Sequence, residues 1–434
     1  MKKIFVLFFS LFVMKGVLMA VEMKSLQING VEIPVVFEQN TQLPLFYVQL
    51  VFKGAGGVSN GRNLGLADVT SSILNEGTKK LGATKFAQKL EEKALSLSVG
   101  SGLETLSFTL SGMQSAQKDG ILFLKDLLKD PNFTQSTLDK VKENSLIAIL
   151  EKENDYDYQA HRLLQSLLFK GSVLEYPLSG TQESIAKITL NDVEKFYKNY
   201  VNLESLILVV GGDVDFSTLA KELEGVLSSL PKGKKQQIAK REANHSKAYK
   251  RVLKETQQAY IYFGAPLRVE NLQKELAYIK VASFVLGGSG FGSRMMEEVR
   301  VKKGLAYSAV MRLSATNRQA YALGYLQTSL KNEKEAQKIV SEVVSEFVKN
   351  GITQKELDEA KRYLLGSEPL RNETLSQRLS VAYTNYYDGL PLDFNAQVLK
   401  EISALKLSDV NAYIKAHTEI QNLTFAVVSA DIEK

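Results

Sequence analysis

Apolar residues recur along this chain with two spacings, and both occur in each half of the sequence. Runs rich in Val, Ile, Leu, Tyr and Phe predict strands at Phe46–Phe52, Leu106–Leu110, Leu206–Val210, Tyr260–Phe263, Ala320–Thr328 and Leu423–Val428. Helical spacing predicts helices at Leu66–Asn75, Lys85–Lys93, Gly120–Leu128, Thr137–Lys152, Glu333–Lys349 and Gln354–Leu365. Strands and helices without a regular β-α alternation predict an α+β fold, with helices packed on one face of a sheet.

The two halves of the chain repeat one pattern. The segment 192–214 (DVEKFYKNYVNLESLILVVGGDV) is similar to 409–432, and FTQSTLDKVK at 133–142 is similar to ITQKELDEAK at 352–361. The offsets are 217 and 219 residues, which chance similarity between amphipathic helices does not explain. The sequence therefore predicts a duplicated domain. The threonine near the start of each of the segments 133–142 and 352–361 is expected to cap a helix.

Residues 231–251 are polar and basic, which predicts a solvated linker between the domains. We expect an N-terminal domain at 21–231, a linker at 232–246 and a C-terminal domain at 247–434. A docking patch is the alternative interpretation of the lysine and arginine cluster.

The first twenty residues have the composition of a secretory signal peptide. Two lysines precede an apolar run at Ile4–Met14, and Ala20 follows as a small residue for cleavage. Removal of 1–20 would take away three lysines and no acid, which lowers the formal net charge from +6 to +3. The sequence thus predicts a periplasmic or secreted protein with no stable membrane span, and this mild charge gives no reason to expect nucleic-acid binding.

Four segments in order carry a resemblance to a known family. They are GLADVTSSILNEGT (65–78), YPLSGTQESI (176–185), LGGSGFGSRMMEEVRVKKGLAYS (286–308) and GSEPLRNETLSQRL (366–379). Together they resemble the pitrilysin/insulinase-type metallopeptidases, the inverzincins, and most closely the short bacterial members that are similar to mitochondrial processing peptidase. The resemblance implies two homologous domains, each an antiparallel-rich sheet with helices mainly on one face.

The resemblance places a metal motif in the first segment, and this chain lacks its ligands. Active members carry His-x-x-Glu-His, in which two histidines one helical turn apart bind zinc and the glutamate activates water. Here the three positions hold Asp68, Ser71 and Ser72, and a serine hydroxyl does not replace an imidazole. We interpret Asp68 as an acid in the first helical turn, where it interacts well with the helix dipole, rather than as a relic ligand. The serines are interpreted as small fillers.

No other residue supplies the missing ligands. The distal glutamate that the resemblance implies falls near Ala148 or Leu150, one step from Glu151. The three histidines of the chain are scattered without ligand spacing: His161, His245 and His417. The sequence therefore predicts no metal in this chain.

The second half keeps the residues that bind substrate in the family. Arg300 and Tyr307 stand in the order R-x-x-x-G-L-A-Y, with Arg300 late in a helix and Tyr307 on the following strand. The resemblance implies that they hydrogen-bond the substrate carbonyl near the scissile bond, where fixed donors stabilise developing negative charge. The alternative is that Arg300 pairs with Glu297 or Glu298 and that Tyr307 packs in the sheet.

Two further segments bear on peptide binding. The glycines Gly287, Gly288, Gly290 and Gly292 predict a mobile loop entering a helix capped by Ser293, and they lack the Lys-Ser/Thr that a phosphate-binding loop needs. Leu95–Ser111 resembles an edge strand that would accept an extended peptide, although an ordinary sheet strand has the same pattern.

The resemblance, together with the signal peptide, implies the zinc-less subunit of a periplasmic peptidase. We expect a homologous partner to supply zinc, and short unfolded peptides to be the substrates. Two alternatives remain open: an autonomous metallopeptidase with an unorthodox site, and a non-catalytic scaffold of the same fold.

Overall fold

A computed structural model describes residues 21–431, which form two sheets with helices around them. The predicted signal peptide at 1–20 lies outside the described residues. Within 21–431, no helix combines the length and the apolar character that a bilayer crossing requires.

The first half contributes six strands and eight helices. The strands are β1 (Glu22–Ile28), β2 (Val31–Gln39), β3 (Leu45–Lys53), β4 (Leu95–Ser101), β5 (Thr105–Met113) and β6 (Leu206–Gly212). The helices are α1 (Leu66–Leu74), α2 (Gly82–Glu91), α3 (Gln117–Lys129), α4 (Gln135–Glu153), α5 (Tyr156–Leu168), α6 (Gln182–Lys187), α7 (Leu190–Tyr200) and α8 (Phe216–Leu227). All six helices and six strands predicted across the chain have counterparts in the structure.

The second half is built from a matching set. Its strands are β7 (Arg241–Glu242), β8 (Tyr249–Leu253), β9 (Gln258–Pro266), β10 (Ala306–Ala315), β11 (Gln319–Ser329) and β12 (Thr424–Ser429). Its helices are α9 (Leu272–Ser283), α10 (Arg294–Met296), α11 (Glu333–Asn350), α12 (Gln354–Gly366), α13 (Leu375–Tyr387), α14 (Phe394–Ala404) and α15 (Leu407–Ala416). π-Helical turns at Phe284–Gly288 and Glu297–Lys302 extend α9 and α10.

The duplication is visible in the topology of the sheets. The first sheet has the order β1-β2-β6-β3-β5-β4, and the second has β8-β12-β9-β11-β10. The β2–β6 and β8–β12 pairs are parallel, and the three following pairs in each sheet are antiparallel. Within residues 21–431, the strand β1 has no counterpart in the second sheet. The prediction of two homologous, antiparallel-rich domains is confirmed.

Alternation and capping explain why these segments form these elements. In β3 the buried residues alternate, with Phe46, Val48 and Leu50 on the core side of the sheet. The side chains of Thr134 and Thr353 accept hydrogen bonds from backbone N–H groups in the first turns of α4 and α12. The two predicted threonine caps are therefore present.

Each half covers the outer face of the other half's sheet with one helix. The helix α5 packs on β9 and β12, and Ala160 and Leu164 lie against Tyr262 and Val428. The helix α13 packs in the same way on β2 and β6 through Leu379. The two equivalent helices are exchanged, so the halves share their cores.

Two buried ionic contacts join the halves. The carboxylate of Glu38 is fully buried and accepts from Arg378 of α13, with Oε1 2.6 Å from Nη2. The carboxylate of Glu104 accepts from Arg241, Arg318 and Tyr387. Burial raises the pKa of Glu104, but the Arg241 hydrogen bond and the Arg318 charge outweigh it and hold the pKa below its usual value.

The connector at 232–246 departs from the solvated linker that its composition predicts. Within it, β7 pairs with β11, and the Arg241 side chain is buried against Glu104. The reason is a long-range partner, since an acid 137 positions away makes burial of this arginine favourable. The lysines of the segment remain exposed.

Candidate functional site

The helix α1 holds the degenerate metal motif. The helix begins after Gly65, whose φ of 88° is accessible to glycine without strain. At the same end, the side-chain oxygen of Asn60 accepts a hydrogen bond from the backbone N–H of Ala67. Asp68 lies in the first turn, as the sequence predicts.

Asp68 is half-buried and has two polar neighbours. Burial raises its pKa, while the Ser101 hydroxyl, 3.4 Å from Oδ1, and the positive charge of Lys152 act in the opposite direction. Lys152 lies on α4, two residues beyond Leu150, where the family's distal acid is expected. A positively charged lysine side chain therefore lies near the positions where the zinc ligands are missing.

The two serines that replace zinc-motif residues lie on one helix, and one of them is hydrogen-bonded within it. Ser71 is buried, and its hydroxyl donates to the backbone oxygen of Asp68 at 2.9 Å. Ser72 is half-buried on the same helix. One carboxylate and two hydroxyls do not fit a zinc ion, which takes imidazole, thiolate or carboxylate ligands.

The histidines do not approach α1 as ligands. His161 lies against the Tyr262 ring, and His417 makes a hydrogen bond to Glu419. Over the described range 21–431, no group of three or more His, Cys, Asp or Glu side chains is placed to hold a metal ion.

The predicted edge segment Leu95–Ser111 forms two strands, and only the first of them, β4, lies at an edge, whereas β5 lies between β4 and β3. The edge at β4 is partly occupied. The strand β4 ends the first sheet. The Asn75 amide donates to the Val99 oxygen at 2.7 Å, and its own oxygen accepts from the Val99 N–H at 2.8 Å. Asn75 thus takes both main-chain groups that an added peptide strand would use at Val99.

Arg300 and Tyr307 are held by a short helix and a bulged strand. The side chain of Ser293 caps α10, which confirms the predicted helix start, and the chain leaves the helix through Gly304 with a φ of 63°. The pairing of β10 with β11 is irregular between Ala306 and Ala309. Such a bulge re-aims the side chain of Tyr307 out of the regular strand pattern.

The two residues form a stack that faces solvent. The guanidinium carbon of Arg300 lies 4.4 Å from the Tyr307 ring centroid and 4.7 Å from that of Phe291. Tyr307 is 82% exposed and Phe291 is 71% exposed. Tyr307 is therefore not packed in the sheet.

The alternative ion pair of Arg300 is also not what the structure shows. The Glu298 carboxylate binds Lys302 at 2.6 Å, and the guanidinium of Arg300 lies between aromatic rings instead. Stacking occupies the flat faces of the guanidinium and leaves its in-plane N–H groups for a ligand. The contact between Phe291 and Arg300 was not predicted from the sequence, although the place of Phe291 among glycines was a signal.

The predicted glycine loop is shorter than expected. Gly287 and Gly288 lie in the π-helical end of α9 rather than in a loop. A Cβ on Gly287 would meet the Met311 backbone nitrogen at 2.4 Å. This close helix–strand contact requires glycine. The turn itself contains Gly290 and Gly292, whose φ values are 69° and 89°.

Comparison with known proteins shows which family this chain is similar to. Residues 35–182 match the model of insulinase (peptidase family M16), and residues 187–364 match that of the peptidase M16 inactive domain. A Helicobacter pylori protein named non-peptidase homolog YmxG is 45% identical over 95% of this chain and 96% of its own length. The uncharacterized zinc protease YmxG of Bacillus subtilis is 24% identical over 80% of this chain and 84% of its own.

A solved structure shows the same fold. The crystal structure of a peptidase M16 inactive domain from Pseudomonas fluorescens superposes with a TM-score of 0.85 at 23% identity, covering 95% of this chain and 98% of that one. The fold and the site thus define a metallopeptidase-like protein without a zinc motif. The chain belongs to peptidase family M16, the insulinase or pitrilysin family.

Proposed function

We propose that this chain is the zinc-less subunit of a two-chain periplasmic peptidase. In this proposal a homologous subunit carries the zinc ion and its water, and this chain lends Arg300 and Tyr307 to the substrate carbonyl. The alternative of an autonomous metallopeptidase finds no support in the residues at 68–72.

The observation that carries the proposal is the exposed Arg300–Tyr307 stack. Tyr307 is largely exposed, Arg300 is half-buried against its ring, and Glu298, on the same helix as Arg300, binds Lys302 instead. A guanidinium and a phenol fixed in this way are suited to stabilise negative charge on a carbonyl oxygen. A pure scaffold has no need of such a pair at its surface.

The first half supports the same division of labour. With both main-chain groups of Val99 bound by Asn75, the substrate strand is expected on the corresponding edge of the zinc-bearing subunit. In this chain, the face of the first sheet that α13 covers only in part instead carries a row of small hydroxyl side chains. These residues are Ser96, Ser98, Ser107, Thr109 and Ser111.

The proposal is tested with the mature chain and a zinc-bearing M16 homologue from the same cell. Each is assayed alone and in an equimolar mixture with a fluorogenic peptide, with and without a chelator. We expect chelator-sensitive cleavage by the mixture and none by this chain alone. Cleavage by the isolated chain would contradict the proposal, and an equally inactive mixture that still forms a complex would favour the scaffold.

A further inference from the structure

The second sheet ends in an open edge that its duplicate in the first sheet does not have. In the first sheet β1 pairs antiparallel with β2 along seven residues, so β2 lies inside the sheet. The equivalent strand β8 pairs with β12 on one side. Among the described residues, no strand pairs with the outer side of β8.

The main-chain groups of β8 show which residues face this edge. The Ala248 oxygen accepts from Phe425 of β12 at 2.9 Å, and the Lys254 N–H donates to Ser429 at 3.0 Å. Because N–H and C=O groups of alternate residues point to opposite sides of a strand, even-numbered residues bond to β12. The N–H and C=O groups of Tyr249, Arg251 and Leu253 therefore point outward.

The side chains along this edge are both apolar and basic. Tyr249 is 56% exposed and Leu253 is 57% exposed. Lys247, Lys250 and Lys254 are exposed as well, and the chain from 243 to 254 contains no acid. Arg251 is only partly exposed, and its Nη2 lies 3.4 Å from Oε2 of Glu333 on α11.

We propose that β8 is a docking edge for an extended acidic segment of a different polypeptide, added antiparallel to β8 as β1 is added to β2. The duplicated sheet supplies the geometry, since the topology accepts an antiparallel strand at the equivalent position. Strand addition uses main-chain hydrogen bonds for affinity and side chains for specificity. An acid opposite Lys250 and apolar residues opposite Tyr249 and Leu253 are the matching chemistry.

A second copy of this chain does not fit the edge. Antiparallel pairing of two β8 strands through their outward groups would place Arg251 opposite Arg251 in one central register or Lys250 opposite Lys250 in the other, and like charges directly opposite are destabilising. Lysines on an edge protect sheets from self-association in this way. The same lysines favour an acidic strand. This proposal is independent of the proposed peptidase function.

The experiment uses the mature chain alone and a fluorescein-labelled peptide of alternating Glu and Val, with a Lys–Val peptide as its charge-reversed counterpart. Fluorescence anisotropy is measured at low salt and at high salt. We expect the acidic peptide to bind at least about tenfold more tightly than the basic one.

Two variants separate strand addition from adhesion to exposed lysines. Tyr249→Pro removes an outward N–H at the first residue of the strand, where proline is tolerated, and Tyr249→Thr loses the same ring but keeps the N–H. Tyr249→Pro is expected to weaken acidic-peptide binding about tenfold relative to Tyr249→Thr. Equal binding by the two variants, or equal binding of the two peptides, would overturn the proposal. So would dimerisation of the free chain that Tyr249→Pro abolishes, since the occupant would then be a second copy.

Discussion

The guanidinium of Arg300 lies over the ring of Tyr307 at 4.4 Å, and both side chains are placed at the surface by a helix end and a bulged strand. The contact fixes the orientation of the arginine without consuming its in-plane donors. The first half of the chain differs at the motif positions, because the Ser71 hydroxyl and the Asp68 carboxylate are already hydrogen-bonded within the protein. The side chains that we propose to act on substrate therefore lie in the second half.

Removal of metal should leave the stability of this chain unchanged. A ligand at 100 times its dissociation constant stabilises a fold by about 2.7 kcal/mol, and this chain lacks the ligands to gain that stabilisation. We expect the same Tm with and without EDTA, and zinc well below one equivalent by elemental analysis. A fall of several degrees in EDTA would show that a structural metal is present.

The carboxyl of Asp68 should make the chain less stable as the pH rises. Burial raises its folded-state pKa above 3.8, so between the unfolded and folded pKa values the folded state binds the extra proton. The free energy of unfolding contributed by this group therefore falls as pH increases through that window. Urea unfolding of Asp68→Asn should show a stability advantage over the unsubstituted chain that grows above pH 4. An advantage that shrinks with pH would mean that the charged form is the favoured one.

The Glu38–Arg378 contact should be important for holding the halves together. Arg378→Ala leaves a fully buried carboxylate without its cation, which typically costs about 3–5 kcal/mol. The matched control is Lys187→Ala, which breaks an exposed pair with Glu183 and should have no measurable effect. Urea unfolding measures both. Equal stability of the two variants would show that Arg378 does not contribute measurably to holding the two halves together.

The ring of Phe291 should orient Arg300 rather than react. Phe291→Ala removes one of the two stacked rings, and an exposed cation–π contact is worth about 0.5–1 kcal/mol. In the reconstituted pair we expect a loss of about twofold to fivefold in kcat/KM. Leu43→Ala, at an equally exposed apolar residue of the first half, is the control. A loss as large as that of Arg300→Ala would assign Phe291 a direct contact with substrate.

Much of the fold could be predicted because its signals are local. Alternating Phe and Val marks β3, and a threonine ahead of each helix start marks α4 and α12. The constant offset between the repeated segments anticipates the equal topology of the two sheets. The Arg300–Tyr307 spacing places both residues at one helix–strand junction, which limits their separation.

What could not be predicted depends on partners far apart in the chain. Burial of Arg241 needs Glu104, and the exchange of α5 and α13 needs the second sheet face of the opposite half. The capping of Val99 by Asn75 joins an edge strand to the end of a helix 24 residues earlier. The need for glycine at position 287 comes from its close approach to the Met311 backbone. None of these contacts leaves a periodic trace in the sequence.

The central claim is that Arg300 and Tyr307 act on a substrate whose zinc belongs to another chain. The most direct measurement is kcat/KM of the reconstituted pair for a fluorogenic peptide, with Arg300→Ala and Tyr307→Phe compared with the unsubstituted chain and complex formation checked by gel filtration. We predict an intact complex with a loss of about a hundred- to a thousandfold for Arg300→Ala. Unchanged kcat/KM in an intact complex would contradict the account.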